Sequence, residues 1–114
     1  MIIDDDPDIL SILQDVFNEE GYQVVTYPDK RSVKGVIINR PDLVLIDNRL
    51  KYGWGHELCS EIKANERTRH IPVILMSAAP DVAEFAESCG ADHFLNKPFE
   101  LNQLLSTVQY FLNR

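Results

Sequence analysis

The chain has 114 residues, 45 % of them hydrophobic, which suits one globular domain with a single core. Its formal net charge is −7, and DNA binding rests on a basic face, so nucleic acid is not expected as a direct partner of this domain. No apolar run reaches membrane-span length and no signal-peptide pattern opens the chain, while two cysteines, Cys59 and Cys89, are too few for a disulfide framework. Both are expected as reduced, buried thiols of a cytoplasmic protein.

Two patterns alternate along the chain. Short apolar runs at residues 1–4, 23–27, 43–46, 73–76 and 93–96 predict strands. Most lack an apolar/polar alternation, as befits strands covered on both faces of a parallel sheet. Amphipathic stretches at residues 7–20, 31–38, 55–64, 81–89 and 101–112 predict helices. Ile9, Leu13, Val16 and Phe17 share one face of the first, with Asp6 as its cap, Pro7 in its first turn and Gly21 at its end. Leu101, Leu104, Leu105, Val108 and Leu112 form the apolar face of the last. The expected architecture is α/β: a (βα)5 doubly wound, three-layer sandwich around a parallel five-stranded sheet, with residues 1–114 as one domain.

In such a sheet, ligands sit beyond the carboxyl ends of the strands, where strand order reverses. The first strand runs into Asp4-Asp5-Asp6, the third into Asp47, the fourth into Ser77, and the fifth is followed by Lys97-Pro98. Clustered carboxylates repel one another unless a cation lies among them. An all-oxygen set without a full protein cage favours Mg²⁺, which keeps several waters and accepts phosphate oxygens. A hydroxyl and a lysine opposite it complete a clamp for a phosphoryl group, and a carboxylate can itself be the nucleophile.

The segments Ile2-Ile3-Asp4-Asp5-Asp6-Pro7, Pro41-Asp42-Leu43-Val44-Leu45-Ile46-Asp47, Ile71-Pro72-Val73-Ile74-Leu75-Met76-Ser77-Ala78 and Gly90-Ala91-Asp92-His93-Phe94-Leu95-Asn96-Lys97-Pro98-Phe99 resemble the signature segments of response-regulator receiver domains of bacterial two-component systems. The resemblance covers almost the whole chain, in order. It implies a flavodoxin-like sheet of strand order 2-1-3-4-5. It also implies Asp47 as phosphoacceptor, with Asp4, Asp5, Asp47 and the backbone carbonyl of Arg49 as ligands of Mg²⁺, for which Mn²⁺ can substitute. Ser77 and Lys97 would bind the phosphoryl group. Ser77 and Phe94 would form the switch, and the bond before Pro98 would be cis. The implied partners are a sensor histidine kinase or phosphotransfer protein and a downstream effector or output domain. Pairing of two copies through the fourth and fifth helices is a further family habit. The function implied is a conformational switch of the surface formed by the fourth helix, fifth strand and fifth helix, by a self-catalysed phosphoacceptor that is no turnover enzyme.

The chain departs from the pattern at Lys51, where receivers usually carry proline. Residues 48–55 therefore predict an unusual loop holding Lys51, Tyr52 and Trp54, with Gly53 and Gly55 for flexibility. Arg49 and Ala79 stand where the family tunes phosphoryl lifetime, and a long Arg49 side chain would shield the phosphate from water. His56, His70 and His93 show no metal-ligand spacing and are expected to be structural or exposed.

Other classes fit less well. A haloacid-dehalogenase type of phosphatase would carry a second aspartate where Arg49 stands. A flavodoxin-like cofactor binder would need a hydroxyl- and glycine-rich phosphate loop in place of the three aspartates, and dinucleotide binding lacks its G-x-G-x-x-G. A receiver-like interaction module not switched by phosphate is the remaining alternative.

Overall fold

Five parallel strands and five helices alternate in the computed structural model, which describes residues 1–29, 33–51 and 53–113. The central strands are β1 (Ile2–Ile3), β2 (Thr26–Tyr27), β3 (Val44–Asp47), β6 (Val73–Ser77) and β7 (His93–Asn96), in the order β2-β1-β3-β6-β7. That is the order implied by the resemblance, since β6 and β7 are the fourth and fifth strands of the sheet. The helices are α1 (Pro7–Glu19), α2 (Val33–Asn39), α3 (Gly55–Ala64), α4 (Val82–Cys89) and α5 (Leu101–Leu112).

Side chains on β3 and β6 alternate between two cores, because successive residues of a strand point to opposite faces. Ile3, Val44, Ile46, Val73 and Leu75 pack with Val36 of α2, Leu58 and Ile62 of α3, and Val82 and Ala86 of α4. Ile2, Leu45, Ile74, Met76 and Leu95 pack with Leu13 and Phe17 of α1 and Leu104 and Val108 of α5. Both faces are therefore apolar, and these strands show no polar alternation in sequence. Cys59 and Cys89 are buried free thiols between α3 and α4, as expected, with the Cys59 thiol donating to the Cys89 carbonyl at 3.5 Å.

The helix boundaries follow their local chemistry. Asp6 Oδ1 accepts from the amides of Asp8 at 2.9 Å and Ile9 at 3.4 Å, capping α1. Gly21 and Gly90, both at positive φ, follow α1 and α4. The second helix was expected to begin at residue 31, and residues 30–32 lie outside the described residues, as does Tyr52.

Two expectations change. Of residues 23–27, only Thr26 and Tyr27 form ladder pairs, because β1 offers only Ile2 and Ile3 as partners. The stretch expected as a flexible loop contains an antiparallel pair, β4 (Arg49–Leu50) with β5 (Gly53–Trp54), in which Arg49 faces Trp54. Gly55 is there for close approach rather than flexibility. A Cβ at that position would overlap the Asp47 carbonyl oxygen and lie 2.7 Å from Ile46 Cγ2.

Candidate functional site

The parallel register carries the polar strand ends to one edge. Ile3 pairs with Ile46, Asp47 with Met76, and Ser77 with Asn96, so Asp4, Asp47, Ser77 and Lys97 emerge together at the carboxyl edge of adjacent strands. Asp4 is 1 % exposed, Asp47 7 % and Ser77 4 %, while Asp5 is exposed. Buried carboxylates are uncommon unless paired, and here a single ammonium serves two of them. Lys97 Nζ lies 2.9 Å from Asp4 Oδ2 and 2.9 Å from Asp47 Oδ1. Asp4 Oδ1 also accepts the Asp6 amide at 3.0 Å.

One carboxylate oxygen each from Asp4, Asp5 and Asp47 lies within 4.8 Å of the others. Burial pushes the Asp47 carboxyl above its usual range. Lys97 and the Arg49 backbone amide pull it back only partly, and Asp4 adds to the rise. Burial lowers the Lys97 ammonium, but its two carboxylate partners outweigh that and leave it above its ordinary value. Among the described residues, one cation thus pairs with two of three clustered carboxyl groups. That imbalance and the oxygen-only donor set fit a hard divalent cation such as Mg²⁺, with water and phosphate oxygens completing its shell.

Ser77 Oγ accepts the Ala79 amide at 3.0 Å, and the Ser77 carbonyl accepts from the Lys97 amide at 2.8 Å. The bond between Lys97 and Pro98 is cis, as the resemblance implied. Phe94 is half-buried against the core on the α2–α4 side and stacks at 5.9 Å on His93. Arg49 is exposed at the start of β4. Every residue singled out at the strand ends is therefore at this edge, while Phe94 lies back from it on β7, paired with Leu75.

Asn48 also belongs to this end of β3, although no motif in the sequence marks it. This residue is 1 % exposed; its amide donates to the Met76 carbonyl at 2.7 Å, and its own carbonyl accepts the Gly55 amide at 2.7 Å. Asn48 Oδ1 accepts the His56 amide at 2.9 Å and lies 2.9 Å from His56 Nδ1. Asn48, the residue after Asp47, thus fastens the first turn of α3 to the end of β3. The available signal was an asparagine, a good acceptor for helix-start amides, shortly before an amphipathic stretch. The His56 ring stacks on Phe85 of α4 at 4.4 Å. Trp54 is half-exposed beside it, 5.7 Å from His56.

Comparison with known proteins agrees with this geometry. The family model described as response regulator receiver domain matches residues 1–109. The chain is 31 % identical over its whole length to the DNA-binding dual master transcriptional regulator RpaA of Synechocystis, covering 48 % of that protein. It spans about half the length of the curated relatives it matches. Among solved structures, the signal receiver domain of a Syntrophus aciditrophicus histidine kinase superposes with a TM-score of 0.91 at 32 % identity, over 98 % of this chain and 87 % of the other. The receiver domain of a Pseudomonas aeruginosa sensor histidine kinase, solved with a magnesium ion coordinated in its active-site cleft, gives 0.90 at 26 % identity, over 99 % and 95 %.

Proposed function

The chain belongs to the response regulator receiver domain family, and from that premise we propose that it takes a phosphoryl group onto Asp47 and relays it as a change of surface. The observation that carries the reading is the placement of Lys97 Nζ, 2.9 Å from both Asp4 and Asp47, beside three carboxylates. A balanced structural ion pair has no need of the extra negative charge.

In this mechanism one Asp47 carboxylate oxygen attacks the phosphorus of a phosphohistidine on a sensor kinase or phosphotransfer protein. The P–N bond breaks, the imidazole leaves with its electron pair and takes a proton, and an acyl phosphate remains on Asp47. Lys97 turns from the Asp47 carboxylate to the phosphoryl oxygens and keeps its contact with Asp4. Mg²⁺ would be held by Asp4, Asp5, Asp47 and the backbone carbonyl of Arg49, with Mn²⁺ able to substitute. When bound, it supplies charge neutralisation for the phosphoryl oxygens. Each Asp47 reacts once per cycle, so the domain is a phosphoacceptor rather than a turnover enzyme.

Ser77 Oγ would leave the Ala79 amide for a phosphoryl oxygen, and the half-buried Phe94 ring would move into the space vacated. The surface of α4, β7 and α5 would then be re-shaped for an effector, an output domain or a second copy of the chain. The phosphoryl group biases this equilibrium only through contacts that differ between the two states. The setting proposed is cytoplasmic. Among the described residues, no helix is long and apolar enough to cross a membrane.

The test is an intact mass after incubation with acetyl phosphate and Mg²⁺. One phosphoryl adduct is expected, lost in EDTA and in Asp47→Asn. A folded protein that gains no adduct from acetyl phosphate or from any phosphorylated kinase would overturn the reading.

A further inference from the structure

We propose that Asn48 and His56 form a latch that ties the phosphoacceptor end of β3 to α4, and that it acts as a second route from Asp47 to the α4 surface beside Ser77 and Phe94. The proposal rests on Asp47 being the phosphoacceptor.

Asn48 follows Asp47 directly and is held on three sides: by the Met76 carbonyl of β6 at 2.7 Å, by the Gly55 amide at 2.7 Å, and by His56 through its side chain. A residue so fixed does not absorb a displacement of its neighbour by rotating alone; it passes the displacement on. The recipient is His56. Asn48 Oδ1 can only accept, so the 2.9 Å contact requires a proton on His56 Nδ1 and sets the orientation of the ring. That ring lies on Phe85 at 4.4 Å and 13°, a stacked pair. Phe85 belongs to α4, whose Val82 and Ala86 are buried in the core, so a shift of the ring bears directly on that helix. Trp54, 6.5 Å from Phe85 and nearly parallel to it, extends the stack into solvent.

A purely structural role would end at helix capping by Asn48 and packing by His56. The latch requires both halves of His56, the Nδ1 donor and the ring face. His56→Phe keeps a ring for Phe85 but has no donor for Asn48; His56→Gln keeps a donor but has no ring. Neither residue touches the carboxylate cluster, so both variants are expected to bind beryllofluoride with Mg²⁺ as the natural chain does.

The experiment pairs two readings on the natural chain and both variants. Fluorine NMR reports bound beryllofluoride, and amide hydrogen exchange reports α4, each with and without the ligand. The expected result is an unchanged bound-fluoride signal with most of the ligand-induced exchange change in α4 lost in each variant. The emission of Trp54, the one tryptophan of the chain, should lose its ligand response in parallel. An exchange change in α4 as large as in the natural chain, in either variant, overturns the latch. Absence of a bound-fluoride signal in the natural chain would overturn the phosphoacceptor reading itself, and the latch with it.

Discussion

Two lysines join strand ends to neighbouring elements, and they do so on different terms. Lys63, at the end of α3, meets Asp92 at 2.8 Å and donates to the carbonyls of Arg69 at 3.2 Å and Ile71 at 2.8 Å. Asp92 in turn accepts the Val73 amide at 2.8 Å. One cation answers one anion, the three ammonium donors are used, and the pair is partly open to water. Lys97, at the opposite edge of the sheet, stands between two carboxylates that are almost wholly buried, with a third close by. Charge balance separates the two cases. The first pair closes a loop onto the sheet. The second leaves negative charge unanswered, a state that costs stability in the resting chain and suits a site that receives a cation and a phosphoryl group.

Exchanging the two lysines' fates is the sharpest way to break this comparison. Lys97→Met should slow phosphoryl uptake from acetyl phosphate by roughly 100-fold, the scale of losing one charge-stabilising donor. Lys63→Met should leave uptake unchanged and lower stability by about 1 kcal/mol, the scale of losing a partly exposed hydrogen-bonded ion pair. Time courses of intact mass and urea titrations read the two effects, and a slowed uptake in Lys63→Met would erase the contrast.

Mg²⁺ should raise the thermal midpoint of the natural chain, by a free energy of about 2.7 kcal/mol at one hundred times its dissociation constant. Asp5→Asn should lose most of that gain. An equal gain in the variant would remove Asp5 from the metal site.

Without metal, Asp47→Asn should be more stable than the natural chain at neutral pH. Burial, the largest cause, holds the Asp47 carboxyl above its ordinary value, so the stability it contributes is present at acid pH and lost as pH rises through its folded pKa. The advantage of the variant should therefore shrink on acidification. Thermal melts in EDTA across that range check the sign, and an advantage that grows toward acid would contradict it.

The smallest effect concerns Arg49. If its exposed side chain shields the phosphoryl group, Arg49→Ala should lose phosphate a few-fold faster, within roughly one order of magnitude, as expected for a change of about 1 kcal/mol in barrier. The decay of the mass adduct after donor removal measures it, and an unchanged half-life would leave Arg49 without that role.

The strands, the helices and the polar residues at the strand ends were readable because each rests on a local pattern, while the order that joins them came with the resemblance. Val44 and Ile46 serve one core and Leu45 the other, so β3 shows as an unbroken apolar run ending in Asp47. Asp4, Ser77 and Lys97 become neighbours through parallel pairing alone, once strand order is known. The β4–β5 pair was not legible, because its ladder has two residues a side and its signals are glycines that also mark loops. Asn48 and His56 escaped for a related reason. Their bond spans eight residues and matches no short motif, and the stack on Phe85 depends on how α3 and α4 pack. Gly55 read as flexibility, whereas its place is set by the Asp47 carbonyl beneath it.

Locating the phosphoryl group decides whether Asp47 is the acceptor. The chain is charged with acetyl phosphate and Mg²⁺, reduced with borohydride, which converts an aspartyl phosphate to homoserine, and mapped peptide by peptide. Homoserine is expected at position 47 alone, with none in Asp47→Asn. Homoserine at position 4 or 5, or a stable phosphate on Ser77, would contradict it.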